Sequence, residues 1–83
     1  MAHDSVHIHG TVHETARVQG KVHIGKGSVI GANVLIRGPV VIGENCEVHD
    51  SYIGPYTSLG NNVQVRGTEI EHSVVFDGAH LQC

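Results

Sequence analysis

Eight histidines in 83 residues are the side chains most able to do chemistry in this chain. Imidazole ligates transition metals and exchanges protons near neutral pH. A zinc site needs three or four ligands held about 2 Å from one ion. His7, His9 and His13 come nearest to a ligand set by spacing, but His9 already falls where the chain turns. His13 and His49 share a register position two coils apart, about 10 Å by strand spacing. His72, in the string EIEHSVV beside Glu69 and Glu71, is the candidate general base. The serines, histidines and aspartates form no recognisable nucleophile triad. Cys46 and Cys83 make neither a disulfide framework nor a zinc pair.

What positions these groups is a beat of six. A branched or long apolar residue recurs at Val6, Val12, Val18, Ile24, Ile30, Ile36, Ile42 and Val48, then at Ile53, Leu59, Val65, Ile70 and Phe76. The steps Val48 to Ile53 and Val65 to Ile70 each drop one residue, and they lie a single coil apart. No α-helix carries this period. Short strands joined by tight corners do, and three such strands close one coil of a solenoid. Two residues before each large side chain stands a small one that also points inward, since side chains alternate along a strand. Examples are Ala16, Ser28, Cys46, Ser51 and Thr57. Gly27, Asn33, Gly38, Asn45, Asp50, Asn62, Gly67 and Gly78 occupy the corners, residue types suited to positive φ or to local turn hydrogen bonds.

Early coils take three full hexads and later ones a residue fewer. The large inward columns then read Val6/Ile24/Ile42/Leu59/Phe76, Val12/Ile30/Val48/Val65 and Val18/Ile36/Ile53/Ile70. The expected fold is all-β: one single-stranded parallel β-helix over residues 1–83, a little over four coils, with no capping helix. Cys46 takes an inward site as a buried thiol. Pro39 and Pro55 sit at corners, where the ladder needs no N–H.

Composition narrows the function. The chain has 5 Lys and Arg against 8 Asp and Glu, a net charge of −3. That balance offers no basic footprint for nucleic acid. No apolar run has transmembrane length and no signal-peptide pattern is present, so the expectation is a cytoplasmic chain without a membrane partner. The outward positions add a surface. Leu35 and Tyr52 stack on one face, with Arg17 below and Glu69 above, while Val41 and Val75 lie on the next face. Aligned outward Leu and Tyr have little use on an isolated surface. Leu35, Tyr52, Val41 and Val75 are therefore the expected subunit contacts.

Hexads of the form Ile-Gly-x-x-small-x resemble the hexapeptide-repeat left-handed parallel β-helices. Left-handedness is what that resemblance implies, because the period alone sets no hand. The strings IRGPVVIG (36–43), SYIGPYTSLG (51–60) and EIEHSVVFDGA (69–79) resemble the carboxy-terminal β-helix of long-type glucose-1-phosphate thymidylyltransferase, over roughly residues 20–79. The two shortened steps fall where that branch has them. The resemblance implies an enzyme family that joins a deoxynucleoside triphosphate to glucose 1-phosphate. Its chemistry belongs to an amino-terminal domain with a phosphate loop of the form GGxGTRLxP and acidic residues for Mg²⁺. None of those residues occurs here, so the expectation is a piece of a longer enzyme: a structural and oligomerisation module with no cofactor of its own. It implies a homo-oligomer, with a trimer favoured; the expected lack of a capping helix offers stacking through coil ends as the other assembly.

The same superfamily holds acyltransferases and carbonic anhydrase-like enzymes with sites between subunits, which form the alternative reading. The anhydrases use His-x-x-x-x-His plus a third histidine, whereas this chain has His9-x-x-x-His13. The acyltransferases add a protruding loop over the acyl-CoA cleft, and here the hexads run without one.

Overall fold

The computed structural model describes residues 6–82. Fourteen short strands follow one another. The first two coils are β1 (Val6–Ile8), β2 (Thr11–Val12), β3 (Arg17–Gln19), β4 (Val22–Ile24), β5 (Val29–Ile30) and β6 (Leu35–Arg37). The next two are β7 (Val40–Ile42), β8 (Glu47–His49), β9 (Tyr52–Ile53), β10 (Thr57–Leu59), β11 (Gln64–Arg66) and β12 (Glu69–Ile70). β13 (Val74–Val75) and β14 (His80–Gln82) begin a fifth.

Every third strand pairs in parallel. The three sheets run β1-β4-β7-β10-β13, β2-β5-β8-β11-β14 and β3-β6-β9-β12. They are the faces of a triangular β-solenoid, and no helix occurs among the described residues. Val and Ile suit such strands because a β-branched side chain packs well on a pleated, half-buried surface. The residue after each strand centre turns outward, so one residue in two fills the prism and the other decorates a face.

Two of the three large columns stand as the period predicts. Val12, Ile30 and Val48 are in register with Val65 above them, and Leu81 extends the stack. Val18, Ile36, Ile53 and Ile70 form the second. The first column differs at both ends. Ile8, not Val6, pairs with Ile24, and Val75, not Phe76, pairs with Leu59. The column is Ile8/Ile24/Ile42/Leu59/Val75, and its first and last steps are shorter than those between. Val6 drops into the small inward position beneath Val22. Val75 packs against the core, which corrects its expected place on an outer face; Phe76 is 78 % exposed instead. The cause is local. In VHI the two apolar residues stand two apart and in VVF they stand side by side, so a first step shorter by two residues and a last step shorter by one exchange them.

Inside, Ile24, Ile30, Ile36, Ile42 and Ile53 are fully buried. The small inward positions Ser28, Val34, Cys46, Ser51 and Thr57 are buried beside them. Corners turn through residues of positive φ: Asn33, Asn45 and Asn62 at 58° and Asp50 at 51°. Short polar side chains tolerate this region and brace the coils above and below. Asn33 Nδ2 donates to Asp50 Oδ1 at 3.0 Å, and the Asn61 N–H donates to Asp77 Oδ1 at 2.8 Å.

Candidate functional site

The sheets deliver the histidines to separate places. His7 lies directly beneath His23 on the outer side of the first sheet, with ring centroids 6.4 Å apart. His9, at the corner after β1, brings its ring to 5.5 Å from the same His23. His13 belongs to a different corner, where its Nδ1 accepts the Thr15 N–H at 3.1 Å and meets the Thr15 hydroxyl at 2.9 Å. The structure thus separates His13 from His7 and His9 and puts His23 in its place. That partner was hidden in the sequence because it depends on a first coil shorter than three full hexads. Among the described residues no three His, Cys, Asp or Glu side chains gather to hold a metal ion. His3 and Cys83 lie outside the described residues.

His72 occupies a corner at φ 50°. Its N–H donates to the Pro55 carbonyl at 2.9 Å, and its exposed ring lies 5.4 Å from that of Tyr56, which also has positive φ. No described side-chain hydrogen bond or ion pair joins His72 to Glu69 or Glu71. The His72 side chain is open to solvent.

Two outer faces carry relief. On the first sheet, Pro39 and Tyr56 at the corners and His7, His23, Val41 and Ser58 on the strands line a groove of about 490 Å³. Val41 is half exposed on its floor, at 51 %. On the third sheet, Arg17, Leu35, Tyr52 and Glu69 form one outward column. Beside it runs a groove of about 360 Å³ whose other wall holds Asn33, Asp50 and Thr68. The Tyr52 ring lies across Gly54, so that a Cβ there would stand 2.9 Å from the phenol oxygen. Above the ring is a notch of about 230 Å³ lined by Tyr52, Glu69, Ile70 and Glu71. Among the described residues neither face carries a nucleophile–base pair; both offer shape, apolar area and charge.

The repeat spacing, the parallel ladders and the Ile-Gly corners agree with known proteins. The bacterial transferase hexapeptide family (six repeats) matches residues 21–51. This chain is a hexapeptide-repeat β-solenoid. The solenoid is 46 % identical over 68 residues to a glucose-1-phosphate thymidylyltransferase of Streptomyces antibioticus, covering 82 % of the chain and 19 % of that protein. A glucose-1-phosphate thymidylyltransferase of Streptomyces griseus is 38 % identical over 72 residues, covering 87 % of the chain and 20 % of the relative. The bifunctional protein GlmU of Enterococcus faecalis is 42 % identical over 74 residues, covering 82 % of the chain and 15 % of the relative. The hexapeptide-repeat solenoid thus spans about a fifth of the length of the thymidylyltransferases it matches. No described helix is long and apolar enough to cross a membrane.

Proposed function

We propose that this solenoid is the subunit-joining scaffold of a glucose-1-phosphate thymidylyltransferase-like protein and does not itself transfer nucleotides. The observation that carries this is the division of labour within the chain. Inward side chains fill the prism, and corner polar groups brace neighbouring coils. The outer faces supply apolar and charged relief without a catalytic constellation among the described residues. The similarity to thymidylyltransferases over most of the chain supports the same reading. The scaffold works in the cytoplasm as a homo-oligomer, and a three-fold arrangement is what the family resemblance implies.

The test uses the 83-residue chain. Incubated with Mg²⁺, deoxythymidine triphosphate and glucose 1-phosphate, it releases no pyrophosphate above a protein-free control, and light scattering gives a discrete multiple of the chain mass. Turnover by the chain alone, or a monomer at all concentrations, overturns the proposal.

A further inference from the structure

The third sheet's outer face is electrically polar along the solenoid axis. Its first outward column runs Arg17, Leu35, Tyr52, Glu69. The neighbouring column carries Gln19 and Arg37 in register, then Gly54 and Glu71, with the Glu71 Cβ directly above Gly54. Both arginines sit on the first two coils and both glutamates on the fourth, with Leu35 and Tyr52 between. Strands stack about 4.8 Å apart, so Arg17 and Glu69 stand roughly 14 Å apart. All four charged residues are exposed. The ion pairs among the described residues are His49–Glu47 and Arg66–Glu47, on another sheet. Arg17, Arg37, Glu69 and Glu71 are therefore left for an external partner.

We propose that this face binds a second copy of the chain about a two-fold axis, with the two solenoid axes antiparallel. The inference rests on the scaffold reading and adds which face is used and in which sense. A pattern of plus, apolar, apolar, minus is its own complement when reversed. An axis lying in the interface along the strand direction sets Arg17 against Glu69 of the second copy and Leu35 against its Tyr52. Arg37 then faces Gly54 of the second copy, where the absent side chain leaves the Tyr52 ring exposed to a guanidinium. Arginine stacks on such a ring and bonds carboxylates with the same planar group, and the notch beside Glu69 and Glu71 has both. Parallel pairing of this face with itself sets arginine against arginine and glutamate against glutamate, which is costly. A three-fold contact, if present, uses the other faces, and the two-fold then joins trimers in pairs.

Charge reversal at these exposed positions tests the pairing. The wild-type chain sediments as an even number of copies. Arg17→Glu with Arg37→Glu, or Glu69→Arg with Glu71→Arg, makes the face uniformly charged and weakens the pairing roughly tenfold or more. All four substitutions together reverse the pattern and restore the wild-type mass, which only an antiparallel contact allows for like copies. Thermal midpoints measured on the same samples separate lost pairing from lost folding. A trimer of unchanged mass in every variant overturns this proposal and leaves the scaffold reading standing. A monomeric wild type overturns both.

Discussion

The Ser28 hydroxyl accepts the Cys46 N–H at 3.0 Å from one coil away while donating to the Gly43 carbonyl at 2.6 Å. Ser28 and Cys46 are both fully buried, so this hydroxyl is a polar rivet in an otherwise apolar column. Ser28→Ala leaves the Cys46 N–H without its acceptor, at a cost of about 1–3 kcal/mol. Urea unfolding of the variant should show a midpoint lowered to match, and an unchanged midpoint would place that N–H on another acceptor.

The register of the first column separates two neighbouring residues. Val75 packs on the core and Phe76 stands in solvent. Phe76→Ser should alter stability by no more than about 0.5 kcal/mol. Val75→Ser, which removes half-buried apolar area, should lower it by about 1 kcal/mol. The uninterrupted six-residue beat requires the opposite order, so one pair of denaturation curves decides between them.

The Ile-Gly steps at Ile24-Gly25 and Ile42-Gly43 have a steric origin. A Cβ on Gly43 would lie 2.5 Å from the Gly60 carbonyl oxygen and 2.7 Å from its carbon, and one on Gly25 would meet Gly43 in the same way. Backbone sits above backbone at this corner, and neither can swing aside as a side chain does. Gly43→Ala should therefore destabilise by about 1–3 kcal/mol through forced separation of two coils. A loss confined to the few tenths expected of an open surface site would show that the coils part freely here.

The columns through Ile30 and Ile36 were legible in the sequence because most of their strands (TV, EVH and QVR in one, RVQ and EI in the other) hold a single apolar residue, which fixes the register for VI, LIR and YI between them. The column through Ile24 was legible only in its middle. At VHI and VVF the alternation of inward and outward residues is satisfied by more than one frame, and the corner lengths that choose between them carry no residue signature. The same corner length decides that His23 rather than His13 neighbours His7 and His9. The Arg17/Leu35/Tyr52/Glu69 column was readable because it flanks a column of clean register. Its companion, Arg37 with Glu71, has no such sequence signal, because its middle position is Gly54 beneath the Tyr52 ring. Tyr56 at φ 61° had no forewarning, since aromatic residues seldom turn corners in this conformation.

His72 is a corner residue first. At φ 50° it needs a side chain that tolerates the left-handed region, which asparagine does and valine does not. His72→Asn should hold stability within about 0.5 kcal/mol, while His72→Val should lose about 1–2 kcal/mol. A general base would show the converse in an activity assay, with Asn as damaging as Val. Thermal unfolding of both variants reads the structural side directly.

Thr57 is the most informative inward position left. Its hydroxyl is buried and finds no hydrogen-bond partner among the described residues. Ser28 reaches the Gly43 carbonyl, while three other small inward hydroxyls donate to the carbonyl two residues back: Ser51 to His49, Thr68 to Arg66 and Ser73 to Glu71. For Thr57 that carbonyl belongs to Pro55, which instead accepts the His72 N–H. The same slot in the two coils below holds Val22 and Val40, so the site already fits a branched side chain of this volume. Thr57→Val exchanges an unsatisfied hydroxyl for a methyl group and should stabilise the solenoid by about 1 kcal/mol or more. Ser51→Ala, which removes a hydroxyl that both donates to His49 and accepts the Thr68 N–H at 3.2 Å, should do the reverse. A destabilised Thr57→Val variant would mean that the hydroxyl has a partner in solution, and a water held beside Thr57 would then be sought by nuclear magnetic resonance.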